Sequence, residues 1–183
     1  GIRDAQESRG LGDAYKRQIH ELISDSFMLF AEKARDNLDG FYDTINLVLD
    51  TTPAETLRRN GPQRKELAAR LSVISTAYLH EQFTKRRQQM LAEQVFLMEA
   101  LRDDRLAGLA RSYREAWTAG LRQILKRLDS PSPERDATLL VNVTLGMGYD
   151  SLLNDQRVDY AALSETVARV IGLALGEQEI VPV

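Results

Sequence analysis

Cysteine is absent from this chain of 183 residues, which removes disulfide scaffolds, thiolate zinc sites and cysteine nucleophiles together. Proline and glycine are sparse, at five and eleven residues. The segments between them are long and rich in Ala, Leu, Arg, Glu and Gln, good helix formers, so the fold class is all-α. No apolar run approaches the roughly 18–20 residues that cross a membrane, and no basic-then-apolar leader opens the chain. We therefore expect a cytoplasmic protein with no membrane partner. With 24 Lys and Arg against 27 Asp and Glu, the net charge of -3 lacks the basic excess of an autonomous nucleic-acid binder. The basic clusters at Arg58–Arg59 and Lys85–Arg87 read as solvated helix faces.

The candidates for chemistry are equally few. His20 and His80 are each followed by Glu, but neither continues to a second His at the spacing of a zinc helix, so no metal site is expected. No Ser-His-Asp or paired-carboxylate arrangement stands out. We assign no catalytic residue and no cofactor, and expect a protein that is not an enzyme.

What is present is helical periodicity. Residues 1–12 carry little apolar surface and read as an irregular arm; 13–176 form one all-helical domain; 177–183 form a tail. A helix starting near Asp13 carries apolar residues at steps of three and four through Leu49, with Gly40 as a possible bend. Thr52, Pro53 and Glu55 read as a capping box opening a short helix, closed by Asn60-Gly61-Pro62. The next pattern, Pro62 to Asp103, thins at "HEQFTKRRQQ", where a break is plausible, and resumes with Leu91, Val95, Met98 and Leu101. Asp103 or Asp104 caps a regular stripe from Leu106 to Leu128. Ser132 and Pro133 open the next helix, and Asp159 and Gly176 bound the last one.

The stretch "LLVNVTLGMGYDSLL", 139–153, could by local preference be a strand, a phosphate-binding turn or a helix. A lone strand among helices has no partner for its backbone. The "GMG" lacks the third glycine and preceding strand of a dinucleotide fingerprint. As a helix it is apolar on more than one side, and must be covered on more than one side. One cover is the domain's own core; the other could be a second copy of the chain.

Two stretches, "EQVFLMEALRDDRLAGLARSYREAWTAGLRQIL" (93–125) and "ATLLVNVTLGMGYDSLLNDQRVDYAALSETVARVIGLAL" (137–175), resemble the C-terminal domain of the TetR family of bacterial transcription regulators. The resemblance implies a multi-helix domain that binds a small molecule. It also implies a homodimer in which the last two helices of each subunit form a four-helix interface. On that pattern the interface would use Val141, Leu145, Gly148, Leu152, Leu163, Val167, Ile171 and Leu175. The family's helix-turn-helix is not found here, since residues 1–19 are too few for three helices. We accordingly expect no DNA-binding residue in this chain, and operator contact only through a domain outside it.

Residues with polar tips on or beside apolar helix faces suggest an internal pocket for a small, largely apolar ligand. The candidates are Phe41, Ile45, Tyr78, Phe96, Glu99, Tyr113, Trp117 and Asn142. Glu99 is the sharpest, because a carboxylate among Val95, Phe96, Met98 and Leu101 needs a partner if buried. The expected function is thus a ligand-sensing, dimerising domain of a TetR-like regulator, and the alternative is an all-α dimeric interaction module without a ligand.

Overall fold

A computed structural model of the chain describes residues 2–154 and 158–177, with side chains from Tyr15 onward except Lys16 and His20. Among the described residues there are seven helices and no strand: α1 (Ile2–Asp50), α2 (Ala54–Leu57), α3 (Arg64–Lys85), α4 (Arg87–Glu99), α5 (Asp104–Arg127), α6 (Pro133–Leu153) and α7 (Tyr160–Leu175). None of these is long and apolar enough to cross a membrane. The chain divides into two compact units, Gly1–Asn37 and Leu38–Val183. In the first, the rings of Phe27 and Phe30 lie 5.9 Å apart, one helical turn from each other.

The irregular arm expected at 1–12 is helical from Ile2 onward. Gly10 and Gly12 each cost about 1 kcal/mol in a helix interior. Propagating an existing helix is cheap compared with nucleating one, however, and no proline stands in the way. The same helix runs through Gly40. Of the expected tail, only Glu177 falls within the described residues.

The second unit is built around the last turns of α1. Ile45 and Leu49 meet Leu71 of α3, Leu125 of α5 and Leu175 of α7 in one core cluster. A second cluster gathers Leu79 and Phe83 of α3, Met90 of α4, and Leu163 and Val167 of α7. Gly148 of α6 closes on that cluster, where an added Cβ would sit 3.6 Å from the Phe83 ring and 3.8 Å from the Met90 sulfur. The segment 139–153 is helical, and α6 packs chiefly on α5 as α7 packs on α3.

Several helix ends follow the sequence. Asp103 accepts from the Arg105 amide, Asp159 accepts from those of Ala161 and Ala162, and Gly176 stops α7 with φ +74°. The capping box at Thr52 does not form. The Thr52 hydroxyl donates to the Val48 carbonyl at 2.7 Å instead, and α2 has no side-chain cap. Ser132 stands at the N-cap of α6 without capping it; its amide donates to Ser130 Oγ, and that hydroxyl bonds Asp136.

The break within "HEQFTKRRQQ" falls at Arg86, with φ -116° and ψ 25°. Across it, the Arg87 guanidinium donates to the carbonyls of Ser151 and Leu152 at 2.7 and 2.9 Å, satisfying the end of α6. The break also sets the rotation of α4. Met90, Glu93 and Phe96 face inward, whereas Leu91, Val95, Met98 and Leu101, the stripe expected from the sequence, are exposed. Two apolar rows compete on this short helix, and the inward one carries its only aromatic ring.

At the base of the unit, Arg64 is 3% exposed and ties three segments together. Its guanidinium donates to the Leu57 carbonyl at 2.5 Å and to that of Leu128, and its Nε lies 3.8 Å from a Glu177 carboxylate oxygen. Burial lowers its pKa, and Glu177 opposes that shift. Arg64→Ala would leave two carbonyls unsatisfied in the interior, a loss of about 1–3 kcal/mol for each buried group left unpaired. We expect Arg64→Ala to lose about 2–4 kcal/mol of stability by urea denaturation. A loss below about 0.5 kcal/mol would show that water replaces the guanidinium.

Candidate functional site

The second unit holds a partly open cavity of about 110 Å³ between the end of α1 and helices α3, α5, α6 and α7. That is several times the roughly 30 Å³ share of one water, and comparable to engineered apolar cavities that take up benzene. Its wall contains aliphatic side chains from all five helices, including Leu121 and Leu140, and an aromatic group. Among the described residues, the only hydroxyls in it are those of Ser75, Thr144, Tyr42 and Tyr78. No charged side chain lines it among the described residues, nor does any group of three His, Asp or Glu there form a metal site.

Its aromatic end depends on a close approach of two helices. The Tyr42 ring lies against Gly120 of α5, at a position where a Cβ would collide with it, and the Tyr42 hydroxyl donates to the Trp117 carbonyl at 2.8 Å. Glycine thus lets α5 come close enough to place Trp117 in the wall. Phe41 stacks on Tyr78 with centroids 4.5 Å apart, and Tyr113 tilts against Trp117 at 5.9 Å. Burial pushes Tyr78 up to about 12 and raises Tyr42 and Tyr113 further, so all three phenols stay neutral hydrogen-bonding groups.

Behind Trp117 and Tyr113 lies Glu93 of α4, 7% exposed. Burial raises its carboxyl to about 7; a hydrogen bond offered by Tyr113, and then the charge of Arg114, pull the other way. Glu93 Oε1 and Trp117 Nε1 have no partner at hydrogen-bonding geometry; the Tyr113 hydroxyl interacts with both without satisfying either. Arg114 gives little relief, since its Nη2 donates to Asn142 Oδ1 at 2.7 Å on the surface.

Of the residues expected at a pocket, Phe41, Ile45, Tyr78 and Trp117 line the cavity together. Tyr113 packs on Trp117 from outside the wall, and Phe96 is buried without reaching the lining. Asn142 faces outward to Arg114. Glu99 is half-exposed and pairs at 3.7 Å with Arg102, three residues on in the turn that follows α4. The rotation of α4 explains this, because turning Met90 and Phe96 inward brings Glu93 in with them and leaves Glu99 near solvent. Sequence reasoning missed Glu93, Tyr42 and Gly120. An acid three residues from two large apolar ones, Met90 and Phe96, was the available signal for Glu93.

The residues expected at a subunit interface largely serve the interior. Val141, Val167, Ile171 and Leu175 line the cavity. Leu163 and Gly148 belong with the Phe83–Met90 cluster, against which Leu152 also packs. Leu145 is half-buried. What α6 turns outward is a different row, Leu139, Asn142, Gly146, Tyr149 and Leu153, spaced by three and four.

The geometry defines an all-helical domain organised around a partly open apolar cavity, with a buried acid behind its aromatic wall. The model of the tetracyclin repressor-like C-terminal domain matches residues 62–173, more than half of the chain, and the chain belongs to that family. No curated protein matches it.

The raised Glu93 fixes a pH dependence. A carboxyl that ionises near 7 when folded and near 4.5 when unfolded makes the unfolded chain the stronger acid, so stability falls as pH rises between those values and levels off above them. The span corresponds to about 3 kcal/mol as an upper figure. Glu93→Gln should therefore be more stable than wild type near pH 8, by about 1–3 kcal/mol, and should match it near pH 4. Urea denaturation at the two pH values checks this; equal stability at both would mean that water already reaches the carboxylate.

Proposed function

We propose that this chain is the ligand-sensing, dimerising domain of a transcription regulator, taking a small, largely apolar molecule into the cavity. The observation that carries this reading is the cavity itself: space for a ring-sized apolar group at the centre of a domain whose family is regulatory. Its walls come from five helices, so occupancy alters the packing of all of them. A ligand that favours one arrangement of these helices couples by linkage to any DNA-reading module attached to them.

The second copy, in this reading, covers the outer row of α6 and the adjoining face of α7. Leu139, Tyr149, Leu153 and, on α7, Leu173 are 40, 50, 64 and 62% exposed, although each is large and apolar. Gly146 lies midway along the row with open space where a Cβ would be, so another helix can approach closely. We expect sedimentation velocity near 10 µM to show a dimer, and Leu173→Arg to convert it to a folded monomer. Leu175→Arg, by contrast, should unfold the domain, since Leu175 is 2% exposed. A dimer that survives Leu173→Arg would rule out this surface. For the cavity, titration with ethylbenzene should give a saturable change in the fluorescence of Trp117, the one tryptophan of the chain. Ser75→Phe, which fills the space, should abolish it.

A further inference from the structure

We infer that the cavity opens through the seam between α6 and α7, and that a second copy of the chain docked on this face closes it, so that each bound molecule is sealed in by the partner subunit. This rests on the readings above of the cavity as a ligand site and of the α6 and α7 face as the subunit interface, and adds that the ligand site is incomplete without the interface. The first ground is where the wall is thin. At the base, Ile45, Leu125, Leu128 and Leu175 line the cavity and are fully buried. On α6 and α7 the lining includes Val143 and Val170, which are only half-buried. α6 packs chiefly on α5 and α7 chiefly on α3, so these two helices hold each other less closely than they hold their other neighbours.

The second ground is helical spacing. Residues three and four apart are neighbours on a helix surface. Val143 stands four after Leu139 and three before Gly146; Val170 stands four after Thr166 and three before Leu173. All of those neighbours are exposed. The two valines are thus the border at which cavity wall passes into outer surface, and whatever covers Leu139 and Leu173 covers the seam between them. An apolar molecule with one side still wetted forfeits part of its hydrophobic gain, and the cover restores it.

The third ground identifies that cover as a copy of the same chain. On the outer face of α7, Glu165, Arg169 and Leu173 follow one another at steps of four, all exposed. Neither Glu165 nor Arg169 has an ion-pair partner among the described residues. A two-fold axis makes an interface self-complementary: where i meets j, j meets i. Two copies of α7 crossing antiparallel, with Glu165 opposite the partner's Arg169, form that pair twice. The same register sets Leu173 opposite the partner's Ala161, a small exposed residue that leaves room for it.

Titration with ethylbenzene, followed by Trp117 fluorescence, tests the inference on wild type and on Leu173→Arg. Leu173 does not line the cavity, so the substitution leaves the wall itself unchanged. The monomeric variant should bind ethylbenzene at least about tenfold more weakly than the dimer, and by linkage excess ethylbenzene should lower the dimer dissociation constant of wild type at least about tenfold in sedimentation. Arg169→Glu should weaken the dimer and ethylbenzene binding together, and adding Glu165→Arg should restore both. If Leu173→Arg does not fold, Arg169→Glu and the sedimentation series on wild type carry the test. Equal affinity in monomer and dimer, a dimer constant that ethylbenzene does not move, or a double variant that recovers neither property overturns the inference and leaves the ligand site standing. A wild type that sediments as a monomer removes the interface, and one that does not bind ethylbenzene removes the ligand site; either takes the inference with it.

Discussion

The contact of the Tyr42 ring with Gly120 is the constraint on which the second unit turns. It brings α5 close to the end of α1, and the Tyr42 hydroxyl then fixes that approach through the Trp117 carbonyl. Once α5 is held there, Trp117 becomes wall and Tyr113 backs it, while α3, α6 and α7 pack on one another beyond it and leave space between their aliphatic faces at this point. The space left over is the cavity. A side chain at position 120 would push the two helices apart, and the aromatic corner would have no fixed geometry.

The polar and apolar parts of the structure answer different needs. Arg64 and Arg87 each satisfy a pair of carbonyls at helix or turn ends, which secures the outer ends of the bundle without touching the cavity. Glu93 does the reverse. It sits in the interior with an unsatisfied oxygen and a raised pKa, a cost that packing elsewhere must offset. The contrast marks Glu93 as the group whose retention needs a reason beyond stability.

Much of the architecture was legible in the sequence. Scarce glycine and proline, three- and four-residue spacing, and caps at Asp103, Asp159 and Gly176 define the helices with little help from tertiary contacts. Four pocket residues, Phe41, Ile45, Tyr78 and Trp117, were also readable, because the apolar faces that carry them on α1, α3 and α5 are the ones those helices turn inward. The limit shows at α4, where two apolar rows share thirteen residues. Periodicity picked the row of Leu91, Val95 and Met98, and the fold buries the other one. It shows again at α6, whose apolar residues face both ways.

The sequence by itself determined that this chain is all-helical, where its later helices begin and end, and that its penultimate helix must be covered on more than one side. Those properties follow from local propensity, capping and the period of the apolar residues. Tertiary structure alone decided which row of α4 turns inward, and therefore that Glu93 and not Glu99 is the buried acid. It also decided that Val141, Val167 and Leu175 line a cavity, leaving Leu139, Tyr149 and Leu173 outside. The physical reason is that a helix with two comparable apolar faces has no preferred rotation of its own, and its neighbours set it by what they have room to bury.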